Sequence, residues 1–135
     1  MDTLQLSSDE SQIVSTVLEV LMQKRKYKIS LDQLLGRWSN FVAHVEAGYN
    51  DSIYEYINDL STRDILDELI EEVPQPIKDK LDTYLQPLDE RFTNATITTE
   101  RILLKEKAAN QAHWLRIPKI RGSELEDDLR SEDLI

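Results

Sequence analysis

The sequence predicts an all-α fold, a single-domain bundle of five to six helices with one helix kinked at Pro87. Three observations predict it. Apolar residues recur at three- and four-residue spacing through most of the chain, and no long stretch alternates with the period of two that a half-buried strand shows. Ser followed three residues later by Glu, Gln or Asp stands ahead of these runs, where side chains can answer the orphan amides of a helix start. Pro74, Pro76 and Pro118 fall between the runs.

The first helix starts at the capping box Ser7 and Glu10, carries Ile13, Val14, Val17, Leu18 and Leu21 on one side, and closes on the cations Lys24, Arg25, Lys26 and Lys28, which suit the negative end of its dipole. The second starts at Ser30 and Gln33, with Ile29 and Leu34 able to staple the entry. Its broad face of Leu31, Leu34, Leu35, Trp38, Phe41, Val42 and Val45 makes it the core helix, ended by Gly48. His44 lies beside that face as an ordinary helix-surface histidine.

Two short helices are expected next, Asp51 to Leu60 and Thr62 to Val73, because Ser61 with Asp64 restarts the capping signal. At about 100° per residue Ile53, Tyr56, Ile57 and Leu60 point inward from the first of them and Asp51, Tyr54, Glu55 and Asn58 outward, with Asp59 at the margin. In the second, Ile65, Leu66, Leu69, Ile70 and Val73 point inward and Asp64, Asp67, Glu68 and Glu71 outward. A further helix spans Ile77 to Asn94 on the stripe Leu81, Tyr84, Leu85, Leu88 and Phe92, with Pro87 on its polar side and a bend expected near Thr83 to Pro87. After an extended or looped 95–99, a sixth segment capped by Thr98 or Thr99 runs to Leu115. Residues 1–120 form the one helical domain, and the acidic residues 121–135 are expected to be a mobile tail.

Charge is the informative signal. The chain carries a net charge of -10, and residues 50–90 hold twelve acids against three bases. Residues 24–49 and 101–120 are basic by contrast, so the excess negative charge sits in the middle. A field of that sign repels nucleic acid and anionic membranes and is complementary to a basic protein partner. Like-charged neighbours among Asp64, Asp67, Glu68, Glu71 and Glu72 together cost roughly 1–2 kcal/mol on an exposed helix, and Glu71 and Glu72 also face the negative end of the dipole. Stability alone would favour a lysine there. Tyr54 places an apolar ring within this rim, as a binding anchor does. The expected protein-binding residues are therefore Tyr49, Asp51, Tyr54, Glu55, Asp59, Asp64, Asp67, Glu68 and Glu71.

No motif dictates a reaction. The three glycines are isolated, no histidine pair has metal-ligand spacing, no calcium loop is present, and no serine stands in a triad signature. Catalytic residues, cofactors and metals are not expected; an enzyme would need a deep pocket holding acids or His113. The absence of cysteine removes disulfides and thiolate sites, and the acidic start lacks the features of a signal peptide, so a cytoplasmic location is expected.

The run WSNFVxxVExGYNDSIYEYINDLSTRD from Trp38 to Asp64, with PLDERF from Pro87 and HWLRIP from His113, resembles a family of small bacterial proteins similar to the acidic immunity proteins of contact-dependent inhibition and other polymorphic toxin systems. The segment DSIYEY is also similar to the binding segment of colicin nuclease immunity proteins. The resemblance implies inhibition of a toxin domain by occlusion, with a nuclease the expected toxin. The alternative is a homo-oligomer or regulatory interaction module, in which the acidic middle of one copy meets the basic segments of another.

Overall fold

A computed structural model describes residues 4–25, 28–99, 103 and 112–135 of the chain. The fold is an all-α bundle with one small sheet. Helix α1 (Ser8–Met22) runs into a 3-10 turn, Gln23–Arg25, and is followed by α2 (Leu31–Ala47), α3 (Ile53–Glu72) and α4 (Gln75–Asn94). The chain then forms strand β1 (Thr96–Thr98), a 3-10 turn at Ala112–Leu115, strand β2 (Arg116–Pro118) and helix α5 (Ser123–Ser131).

Both capping boxes form as their sequences require. Ser7 Oγ accepts from the Glu10 amide at 3.1 Å while Glu10 Oε1 accepts from the Ser7 amide at 2.9 Å. Ser30 and Gln33 repeat this exchange at 3.2 and 2.9 Å. Gly48 closes α2 at a φ of 107°, and a Cβ there would lie 2.9 Å from Ile120 Cγ2, so both backbone conformation and space call for glycine.

The two short helices expected in the middle are one continuous helix. Ser52 starts α3 by accepting from the Glu55 amide at 3.2 Å. Ser61 does not restart it: its hydroxyl donates back to the Ile57 carbonyl at 3.0 Å, as a serine inside a helix can. With the intrahelical ladder unbroken, there is no orphan amide left for Ser61 to cap. Helix α4 likewise continues through Pro87.

The sixth segment takes another form where it is described. Strands β1 and β2 pair antiparallel, Ile97 opposite Ile117 and Thr96 opposite Pro118; residues 100–102 and 104–111 of that expected helix lie outside the described residues. The β-branched Thr96, Ile97 and Thr98 suit this pairing. Buried Thr96 donates to the Phe92 carbonyl at 2.8 Å and accepts from Arg116 Nε at 2.7 Å, which ties the sheet to the end of α4.

Residues 121–135 do not form a tail. Leu125 and Leu129, one helical turn apart in α5, are both fully buried, and Asp128 Oδ2 accepts the Ile53 amide at 3.0 Å, where a carboxylate suits the positive end of α3. The Tyr49 amide donates to the Ile120 carbonyl at 3.0 Å, and the Gly122 amide donates to the Tyr49 carbonyl at 2.8 Å. A Cβ on Gly122 would lie 2.9 Å from Asn50 Cα, so only glycine permits this approach. Two leucines on one face are enough to dock a segment otherwise rich in acids.

The core is a single cluster centred on aromatic rings. Phe41 lies 5.5 Å from Trp38, 5.5 Å from Tyr56 and 5.9 Å from Phe92 between ring centroids, and Tyr49 meets Tyr56 edge-on at 5.2 Å. Among the described residues no helix is long and apolar enough to cross a membrane.

Candidate functional site

Continuity of α3 changes which side its acids face. At about 100° per residue, Ile53, Tyr56 and Leu60 centre on one direction, whereas Ile65, Leu66, Leu69 and Val73 centre on nearly the opposite one. The apolar face thus changes sides midway, and α3 contacts α1, α2, α4 and α5. Asp64 falls about 20° from Ile53 on the same projection, in line with the buried face of the first half.

Asp64 is accordingly buried, at 5% exposure, beneath the segment that carries the second 3-10 turn. Fully buried Trp114 donates its indole Nε1–H to both carboxylate oxygens of Asp64 at 3.0 Å. His113 Nε2 lies 2.7 Å from Asp64 Oδ1. A second node adjoins it. Arg63 donates to Asp89 through Nε at 3.2 Å and Nη2 at 3.0 Å, and through Nη1 to Asp67 at 2.5 Å. The indole of Trp38 also donates to Asp89, at 3.0 Å. Burial pushes the Asp67 carboxyl above its usual range despite the Arg63 guanidinium beside it.

The nine expected binding residues divide by placement. Tyr49 and Asp64 are internal, a correction to their reading as surface groups. Tyr49 is fully buried against Phe41 and Tyr56, and its hydroxyl donates to Asp59 Oδ2 at 2.8 Å. Asp59, Asp67 and Glu68 are half-buried, Asp59 and Asp67 in the bonds just described and Glu68 in an ion pair with Arg25 at 3.0 Å. Asp51, Tyr54, Glu55 and Glu71 are exposed, Tyr54 at 74%. The structure therefore brings Asp51, Tyr54 and Glu55 together at the start of α3 and leaves Glu71 apart at its far end.

His113, Trp114, Arg63 and Asp89 were not singled out as a site by sequence reasoning. The angular match of Asp64 to Ile53 was the available signal, legible only once α3 is taken as one helix. His44 stacks on Tyr49 with ring centroids 4.4 Å apart and meets Asn50 Oδ1 at 2.7 Å, so it closes the turn between α2 and α3. Two grooves bear on the enzyme reading. One of about 520 Å³ is lined by Arg63, Asp82, Asp89 and Glu90 among others, and one of about 1120 Å³ lies between α1 and the 28–33 segment. The first holds the acids Asp82, Asp89 and Glu90, and neither is lined by His113.

Burial also holds the Asp59 carboxyl above its usual range, against the opposing effect of the Tyr49 hydrogen bond. A carboxyl raised on folding favours the folded state when protonated and loses that advantage as pH rises through its folded value. Asp59→Asn keeps an oxygen acceptor for Tyr49 without the charge. Relative to wild type it is expected to be neutral near pH 3 and more stable by up to about 1 kcal/mol at pH 7, read as urea midpoints at the two pH values.

Fold and site together define an all-α domain that turns part of its acidic stretch inward and keeps the rest around an exposed tyrosine. Comparison of the chain with protein-family models, with curated proteins and with solved structures gives no match.

Proposed function

We propose that this protein is a non-catalytic, immunity-type inhibitor that acts in the cytoplasm of a bacterium by occluding a basic toxin domain, a nuclease. The observation that carries this reading is Tyr54, 74% exposed and flanked by the exposed acids Asp51 and Glu55. A ring held in water on a rigid helix contributes little to its own fold and offers an anchor to a partner. Helix α5, tied to the start of α3 through Asp128, brings the exposed acids Glu124 and Asp127 to the same end. A nuclease cleft built for phosphates would be steered to this surface and covered by it, with charge acting mainly on the association rate.

Internal pairing weighs against the homo-oligomer reading. Of the cations in those basic segments, Arg25 is engaged by Glu68 and Arg121 by Glu126, so a second copy would have to compete with these two pairs.

The test is to read the neighbouring reading frame for a basic toxin domain and to use that domain with this protein, with nuclease activity and association kinetics as readouts; a neighbourhood that encodes none counts against the reading. Tyr54→Ala is expected to weaken binding by about tenfold or more, mainly through dissociation. Asp51→Lys with Glu55→Lys is expected to slow association about tenfold at low salt, an effect that fades towards about 0.5 M salt. A toxin that stays active in the presence of this protein, or binding indifferent to both sets of changes, overturns the reading.

A further inference from the structure

We propose that Asp64, Asp67 and His113 form a binding site for one divalent transition-metal ion, with Zn²⁺ the ion their chemistry fits. One ligating atom from each side chain lies within 4.8 Å of the other two, although His113 is 49 residues from Asp64 in sequence. Asp64 and Asp67 are three residues apart on α3 and so share a side of the helix, while His113 is delivered across from the 3-10 turn.

The donor set argues for the class of ion. An imidazole with two carboxylates suits zinc better than magnesium or calcium, which prefer oxygen alone. Tetrahedral zinc with bonds of about 2.0–2.1 Å keeps its ligand atoms roughly 3.3 Å apart, so the 2.7 Å contact of His113 with Asp64 would open by about half an ångström and Asp67 would close in. The ion takes the place of the proton between Nε2 and Oδ1, and the bound imidazole carries its one proton on Nδ1, any other proton passing to water. The surroundings act in opposite directions. Trp114 Nε1 donates to Asp64 and fixes the carboxylate, as outer-sphere partners of metal ligands do. Against it, Arg63 is bonded to Asp67 as well as to Asp89, so the ion has to share the Asp67 carboxylate with a guanidinium.

The competing possibility is a hydrogen-bonded Asp–His pair that only ties the turn to α3. Zinc chloride titrated into the EDTA-treated full chain separates the two. The expected result is one ion per chain at micromolar affinity or tighter, with the imidazole ¹⁵N signals of His113 shifting and those of His44 unmoved. Asp67→Asn and His113→Gln, which keep hydrogen-bonding shape, should each weaken binding by at least about tenfold, His44→Gln should not, and about 1 mM Mg²⁺ should not compete. The proposal is overturned by the lack of stoichiometric uptake, by an unmoved His113 signal, or by folded variants that bind as tightly as wild type. Should either variant fail to fold by circular dichroism, the His113 signal in the wild-type chain decides alone.

Discussion

Asp64→Ala is expected to destabilise the folded chain by about 2–4 kcal/mol, because it leaves the buried indole N–H of Trp114 without its carboxylate and removes the acceptor facing His113. The sign is the informative part. Were Asp64 one member of an exposed row of like charges, its removal would relieve repulsion and stabilise α3 by a few tenths of a kcal/mol. Urea unfolding at neutral pH distinguishes these outcomes. Asp64→Asn, which keeps one acceptor oxygen, should fall between wild type and the alanine variant. A stability equal to or above wild type for Asp64→Ala would show that the Trp114 contact does not hold in solution.

Deleting residues 122–135 is expected to cost about 4 kcal/mol or more, since two fully buried leucines are lost together and their neighbours are uncovered. Two further contacts go with them. The Ile53 amide loses its Asp128 acceptor, and the Tyr49 carbonyl loses the Gly122 amide. Leu129→Ala alone should cost about 2–5 kcal/mol by the same mechanism. Thermal unfolding of the truncated chain is the direct measurement. A mobile tail would be removed without effect, so an unchanged midpoint would return this segment to the reading its composition suggests. The deletion also removes Glu124 and Asp127, so toxin binding should be compared in chains shown to be folded.

Much of the fold was legible because its signals are local. Capping boxes at Ser7 and Ser30, the apolar stripe of α2, Gly48 at its end and the proline break at Pro74 and Pro76 depend on residues within about one helical turn of one another. The errors also have local causes. Ser61 with Asp64 imitates a cap, but a cap acts only where the ladder is already broken, and here the amides keep their helical acceptors. GSELEDDLRSEDLI is poor in apolar residues, yet Leu125 and Leu129 have the i, i+4 spacing that places both on one face. Composition averaged over the segment concealed what spacing would have shown.

The site was less legible than the fold. Whether an acid is a surface charge or a buried acceptor depends on what crosses over it, and the groups that cross Asp64 come from 49 and 50 residues away. The same holds for Arg63, whose partner Asp89 lies on the following helix, and for Tyr49, whose hydroxyl reaches Asp59. Pairing over such distances leaves no periodicity to read. By itself the sequence determined the helical class, most helix starts and ends, and the concentration of negative charge in the middle of the chain, because these follow from neighbours along the backbone. The tertiary structure alone decided that α3 is one helix whose apolar face changes sides, that Tyr49 and Asp64 point inward, and that Tyr54 with Asp51 and Glu55 stays in water. Burial depends on which distant surfaces the completed core brings together.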